Sequence, residues 1–204
     1  MLNKLVVIIG NVATGKSTLC KLLAKRMPAK LVPADKFFEI NPFFPLAVED
    51  RKRWSLASDL WFLKVRVKMA RETLELVRKT DVVVDSGVYM SFVYAHSRLK
   101  SGYFTKDEWK LYSEYYDELT QGLRLADMVV YLKAPIKTLR ERIMIRGREF
   151  EVKGHSEEYL QCLDESLEEL VELIVGTTKL ITMPEGSGED ELLDKLIREV
   201  ENAR

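Results

Sequence analysis

Residues 5–18 read LVVIIGNVATGKST, and this stretch decides the fold. Residues 5–9 form an uninterrupted, mostly β-branched apolar run, which is typical of a parallel strand buried on both faces. The residues that follow fit the pattern G-x-x-x-x-G-K-[ST], in which a glycine-rich loop joins such a strand to a helix. The stretch therefore predicts a strand, a phosphate-binding loop and a helix, in that order.

The residue types in this loop match the needs of a nucleoside triphosphate. Glycines let the backbone curl with its N–H groups inward, and the helix N-terminus favours an anion. Lys16 is expected to reach the terminal phosphates and Ser17 to bind Mg²⁺ through its hydroxyl, whereas a glycine-rich turn without a ligand is the weaker alternative. The predicted ATP-binding loop consists of Gly10, Asn11, Val12, Ala13, Thr14, Gly15, Lys16, Ser17 and Thr18.

Strand and helix patterns alternate along the rest of the chain. Apolar residues at helical spacing predict a long helix over residues 51–79, and DVVVD at 81–85 indicates a buried strand. This alternation predicts an α/β fold, with a parallel sheet covered on both faces. The other predicted elements are helices at 16–26, 90–99, 106–123, 135–146, 157–175 and 190–202, strands at 30–32, 128–132 and 179–182, and loops at 36–45, after residue 146 and at 184–188.

Length, charge and cysteine content exclude several classes of protein. The 204 residues favour a single domain over 1–204, and 32 basic against 32 acidic residues argue against a nucleic-acid partner. No apolar run approaches the roughly 20 residues of a membrane helix, so no membrane partner is expected. Cys20 and Cys162 lack disulfide or metal spacing, which predicts reduced thiols and a cytoplasmic location.

Asp85 is the predicted second ligand of the metal. It ends a predicted strand, where open α/β sheets collect ligands and where proteins with this loop place an acid near Mg²⁺. A helix cap is the alternative role, and both roles are compatible. The sequence contains no N-K-x-D segment, which disfavours a GTP-dependent switch.

A cluster of arginines late in the chain is the second cationic feature. Arg142 and Arg146 are four residues apart, on one helix face, and Arg148 follows beyond Gly147. Guanidinium groups placed there are suited to clamp a transferred phosphoryl group, with Arg142 as a catalytic residue and a lid over about residues 146–155. A solvated helix face is the alternative interpretation.

Four stretches resemble the deoxynucleoside kinase family. They are GNVATGKSTL at 10–19, NPFFPLAVEDRKRWSL at 41–56, VVVDSGVYMS at 82–91, and YLKAPIKTLRERIMIRGREFE at 131–151, which runs on to EEYL. The resemblance implies a five-stranded parallel sheet flanked by helices, a homodimer, and a role in nucleotide salvage. The implied reaction moves the γ-phosphate of ATP to the 5′-hydroxyl of a deoxynucleoside, so the expected partners are these two small molecules.

The resemblance also implies the residues of an acceptor site. Glu151 matches a glutamate that binds the sugar 3′-hydroxyl, and Arg66 matches an arginine that reaches the base. Asp35 follows V-P-A where the family has a strand-end glutamate, which makes it the candidate catalytic base. Asp59 replaces a base-reading glutamine, and Asp85 lines the site while contacting Mg²⁺.

The substitution at position 59 predicts a base preference. An ionised carboxylate only accepts hydrogen bonds, and the Watson–Crick edge of guanine offers N1–H and N2–H₂. The O6 and N7 acceptors of guanine suit an arginine fork, which Arg66 is placed to supply. A preference for guanine or hypoxanthine follows, and the alternative is that Asp59 and Arg66 form only a structural salt bridge.

Two other functions remain open from the sequence. A nucleoside monophosphate kinase would need a further cationic site, and Ser86, where the family has an arginine, disfavours it. A nucleotide-binding regulatory protein without catalysis is the other, because Asp35, Asp59, Ser86 and Val48, which replaces a tyrosine, all depart from the family pattern. The retained Lys16 and arginine cluster argue against loss of catalysis.

Overall fold

The computed structural model describes residues 3–34, 36–184 and 189–202. The five strands of this part of the chain form one parallel sheet, as predicted. They are β1 (Leu5–Gly10), β2 (Lys30–Val32), β3 (Val82–Asp85), β4 (Met128–Leu132) and β5 (Lys179–Met183). The candidate base Asp35 and most of the predicted loop at 184–188 lie outside the described residues.

The strand order β2-β3-β1-β4-β5 puts β1 at the centre of the sheet. Val7 of β1 lies opposite Val84 of β3 on one side and Val129 of β4 on the other. All six β1 residues are buried, which explains why the apolar run has no polar alternation. The chain winds in opposite directions on the two sides of β1, and ligands of such sheets bind at the carboxyl ends of the strands beside this switch point.

Helices cover both faces of the sheet. Most predicted boundaries agree with the structure to within a few residues, and two short helices were not predicted. α7 lies in the segment predicted as a loop after residue 146, and α2 begins at the end of the predicted loop 36–45 and continues through residues that carried no prediction. Residues 36–45 and the segment after residue 146 were too short and too irregular in pattern to predict these turns. The described helices are α1 (Lys16–Arg26), α2 (Phe44–Glu49), α3 (Arg51–Val77), α4 (Tyr89–Lys100), α5 (Lys106–Thr120), α6 (Ile136–Arg146), α7 (Glu149–Gly154), α8 (Glu157–Ile174) and α9 (Glu189–Asn202).

Each face of the sheet carries an apolar layer, and a further buried cluster that includes Leu63, Phe104 and Tyr112 lies among the helices. Val7 of β1 packs in the layer that includes Leu163 of α8, whereas Ile8 packs with Leu23 of α1. Alternate residues of β1 therefore serve opposite layers. Cys20 lies buried in the second layer, and both cysteines are free thiols. None of the helices in the described ranges is long and apolar enough to cross a membrane.

Candidate active site

The phosphate-binding loop occupies the carboxyl end of β1. Gly10 has φ +152°, and a Cβ there would come within 2.6 Å of the Leu132 carbonyl oxygen at the end of β4, so only glycine fits. Gly15 has φ +97° and caps α1. Lys16 Nζ donates to the Asn11 carbonyl oxygen at 2.7 Å, which holds the lysine across the loop. Burial lowers the pKa of Lys16, and the charge of Asp85 opposes that shift.

The end of β3 brings Asp85 to the loop. Ser17 Oγ donates to Asp85 Oδ2 at 2.5 Å, and Ser86 Oγ donates to Asp85 Oδ1 at 3.0 Å. Both of the predicted metal ligands are oxygen groups, which hard cations such as Mg²⁺ prefer. Among the described residues, no three His, Cys, Asp or Glu side chains are grouped to hold a metal by themselves. The pair therefore fits an ion that takes its other ligands from a nucleotide or water.

The arginine-rich segment folds back onto the phosphate-binding loop. Arg142 of α6 donates to the Ala13 carbonyl oxygen at 3.4 Å. Arg146 and Arg148 lie 2.5 and 3.3 Å from the carboxylate of Glu151, which is buried with 5% of its surface exposed. The charges of Arg146 and Glu151 also act on Lys16. Arg142 thus contacts the loop, and Arg146 lies close enough for its charge to act on Lys16. The movement of residues 146–155 as a lid stays a prediction.

Asp59 lies in a buried cationic cluster between helices. Its Oδ2 is 3.4 Å from Nε of Arg98 on α4, and burial raises its pKa against the opposing charges of Arg98, Arg66 and Arg51. Arg66 Nη1 donates to Ser91 Oγ at 3.3 Å. Asp59 therefore has an ion-pair partner, Arg98, on a neighbouring helix, and the charge of Arg66 on its own helix also acts on it.

Arg98 is the site residue that sequence reasoning missed. It is separated from Asp59 by 39 positions, and only the packing of α3 against α4 brings the two together. The one available signal is its place two helical turns after Ser91, on the same face of α4.

Tyr159 and His155 lie beside the arginines of the Asp59 cluster. The Arg51 and Arg98 guanidinium carbons lie 5.2 and 5.1 Å from the ring centre of Tyr159, on α8. His155, at the end of α7, has its pKa lowered to about 3 by burial, with Arg98, Arg51 and Arg146 adding repulsion. His155 is therefore affected both by Arg146, which also acts on Lys16 of the phosphate-binding loop, and by Arg98 and Arg51 of the Asp59 cluster.

Aromatic contacts join the residues before α3 to the arginine-rich segment. Phe38 lies 5.3 Å from Phe150 of α7 between ring centres, and Phe44 of α2 lies 5.2 Å from Phe150. The Arg148 guanidinium carbon lies 5.8 Å from the Phe38 ring centre. These rings pack against one another, as an apolar wall beside the cationic cluster.

A cavity of about 370 Å³ lies apart from this site. Its walls are mainly apolar and come from the α3, α4, α5 and α8 side of the sheet, and Trp109 and Tyr116 are among them. None of the predicted site residues in the described ranges lines it. Of the site residues described above, only Ser86, which donates to Asp85 Oδ1, also lines this cavity.

Comparisons with known proteins agree with the geometry. The family description "Deoxynucleoside kinase" matches residues 6–203. The deoxyguanosine kinase of Bacillus subtilis is 27% identical over 195 residues, which cover 93% of this chain and 90% of that protein. The deoxyadenosine/deoxycytidine kinase of the same organism is 28% identical over 157 residues, covering 74% of this chain and 69% of that protein.

The fold is also similar to that of solved structures. The deoxyadenosine kinase from M. mycoides with bound dATP has a TM-score of 0.83 at 21% identity, with 97% of this chain and 99% of that chain covered. The same enzyme with bound dCTP gives a TM-score of 0.81 at 20% identity, with 97% and 98% covered. The phosphate loop, the Ser17–Asp85 pair and the family match over residues 6–203 lead to one conclusion: the chain belongs to the deoxynucleoside kinase family and is an ATP-dependent phosphotransferase.

Proposed function

We propose that this kinase transfers the γ-phosphate of ATP to the 5′-hydroxyl of a deoxynucleoside with a guanine or hypoxanthine base. The observation that carries the base preference is Asp59, a buried acceptor with 6% of its surface exposed, placed among three arginine charges. Relatives named for deoxyguanosine and for deoxyadenosine both align with the chain, so the preference rests on the chemistry of this cluster.

The donor half of the reaction uses the phosphate-binding loop. Lys16 would bind the terminal phosphates, and Ser17 with Asp85 would hold Mg²⁺ together with phosphate oxygens. The ion neutralises charge on the phosphates when it is bound. Arg142 and Arg146 add cationic groups on the α6 side of the loop, where guanidinium groups stabilise charge on a transferred phosphoryl group.

The acceptor half would use two carboxylates, Asp35 and Glu151. Asp35 would accept the proton of the 5′-hydroxyl as the general base, and Glu151 would bind the sugar 3′-hydroxyl. Glu151 already forms ion pairs with Arg146 and Arg148, so a sugar bound at Glu151 would couple acceptor binding to the two arginines. An Asp35→Asn variant should bind nucleoside normally and lose turnover, and unchanged turnover would exclude Asp35 as the base.

Initial rates on a panel of deoxynucleosides test the base preference. Deoxyguanosine and deoxyinosine should exceed deoxyadenosine and deoxycytidine in kcat/KM by about 10-fold or more, because adenine and cytosine turn a ring-nitrogen acceptor toward Asp59 at a cost of about 1–3 kcal/mol. Deoxycytidine as the best substrate would refute the proposal. Phosphorylation of deoxynucleoside monophosphates alone would identify a monophosphate kinase, and binding without turnover would identify a regulatory protein.

We further propose a homodimer located in the cytoplasm. Resemblance to the family supports the dimer, with the long helix α3 as the contact surface. The two free thiols, Cys20 and Cys162, support a reducing compartment. Light scattering coupled to size exclusion would give about twice the 23.6 kDa chain mass for a dimer.

A further inference from the structure

Arg98 and Asp59 form a buried ion pair across two helices. Arg98 Nε lies 3.4 Å from Asp59 Oδ2, and their side chains are 14% and 8% exposed. Tyr159 of α8 covers the guanidinium at 5.1 Å between the guanidinium carbon and the ring centre. The pair is therefore held on three sides, by α3, α4 and α8.

One donor of Arg98 is left without a partner. Its Nη1 is fully buried and makes no hydrogen bond to any residue that the structure describes. A buried donor without an acceptor is unfavourable, so native proteins pair nearly all such groups. Asp59 cannot neutralise the cluster, because its one charge faces Arg98, Arg66 and Arg51. An acceptor from outside the described chain would satisfy the free Nη1 donor.

Arg66 is less suited to supply the donor. Its Nη1 already donates to Ser91 Oγ at 3.3 Å. Its guanidinium carbon lies over Phe62 and Tyr94, at 4.9 and 5.6 Å from the ring centres. These contacts fix Arg66 against the helices. Arg98, in contrast, has a free donor next to the carboxylate acceptor of Asp59.

We propose that Arg98 is a specificity-determining residue whose Nη1 donates to the 6-oxo oxygen of the base, while Asp59 accepts from the adjacent N1–H. The assignment rests on the proposed function and replaces Arg66 in the role predicted from the sequence. The edge of guanine or hypoxanthine places O6 beside N1–H, so one donor next to one acceptor matches it. Adenine reverses both groups, which leaves Arg98 facing a donor and Asp59 facing an acceptor.

Three acceptor substrates and three variants test this role. Arg98→Met should lower kcat/KM on deoxyguanosine and deoxyinosine by about 10- to 100-fold, the loss expected for one arginine contact to a base. On 2-aminopurine deoxyriboside, which lacks the 6-oxo group, the loss in the same variant should be at least about 10-fold smaller. Arg98→Lys should restore part of the loss on the 6-oxo substrates. Arg66→Met is the matched control, and it should affect all three nucleosides equally.

The outcomes separate the two proposals. Equal losses on all three substrates in Arg98→Met, or wild-type kcat/KM on deoxyguanosine, would overturn the role of Arg98. If Arg98→Met does not fold, the wild type is compared on deoxyguanosine and on 6-thiodeoxyguanosine, which keeps N1–H and replaces O6 by a weaker acceptor. Equal use of the two would overturn the role of Arg98, and at least about 10-fold worse use of the thio analogue would support it. A wild type that phosphorylates no deoxynucleoside would instead refute the proposed function.

Discussion

His155 should make the stability of this kinase depend strongly on pH in mildly acidic solution. Its pKa is about 3 in the folded protein against 6.5 for an ordinary histidine, because the half-buried ring loses hydration and faces Arg98, Arg51 and Arg146. Below pH 6.5, His155 becomes protonated in the unfolded chain but stays neutral in the folded protein. The contribution of the neutral imidazole to stability is therefore complete above pH 6.5 and is lost as the pH falls toward 3.

The size of this effect follows from the two pKa values. One pH unit between them is worth about 1.4 kcal/mol, so a fall from about pH 7.5 to about pH 5 should cost about 2 kcal/mol at this residue. A folded-state pKa one unit higher leaves that figure nearly unchanged, because pH 5 would still lie above it. The result thus depends on the direction of the shift and on the burial of the ring.

Urea unfolding of the wild type and of His155→Gln at the two pH values measures the contribution of His155 to the free energy of unfolding. Glutamine does not titrate, and its amide can still donate to the Glu151 carbonyl oxygen, which lies 3.2 Å from His155 Nδ1. The stability difference, wild type minus variant, should fall by about 2 kcal/mol on acidification. His96 and the carboxylates are common to both proteins and largely cancel. A difference that is the same at both pH values would refute the reasoning.

Three further substitutions test the site and its supports. Lys16→Met should lower kcat by about 100-fold or more, the loss typical of removing one donor to transition-state charge. The thermal midpoint should not fall, because burial disfavours the charge of Lys16. An assay of ADP release measures the first effect and a melting curve measures the second. Gly10→Ala should cost about 1–3 kcal/mol in urea unfolding and abolish phosphate transfer, since its Cβ would meet the Leu132 carbonyl oxygen at 2.6 Å; retained activity would contradict it. Tyr112→Phe should cost about 1 kcal/mol by removing the 3.0 Å hydrogen bond to the Ser91 carbonyl oxygen, with no change in KM for ATP.

The phosphate half of the site is local in sequence, and for that reason it was predictable. Gly10 and Lys16 belong to one loop whose spacing alone specifies a backbone curl, and Asp85 ends a strand that pairs directly with β1. In a parallel sheet the ends of neighbouring strands meet at one edge, so the Ser17–Asp85 contact follows once both strands are recognised.

The acceptor half depends on how helices pack against one another. Asp59 and Arg66 share α3 and were visible together, but Arg98 comes from α4 and His155 from the end of α7. Their positions follow from the crossing of helices and the burial of Tyr159, and no spacing rule along one chain segment encodes them. Short α7 escaped prediction for a related reason, because its burial of Glu151 depends on the arginines that surround it.

The sheet and the phosphate-binding loop could be predicted from the amino-acid sequence, because each depends on residues within a few positions of one another or on the alternation of strands and helices. The class of reaction was implied by the resemblance to the deoxynucleoside kinase family. Only the tertiary structure decided which cation pairs with Asp59, how deeply it is buried, and which donor stays free. Electrostatic strength depends on distance and exclusion of water, and both arise when distant helices close over the same carboxylate.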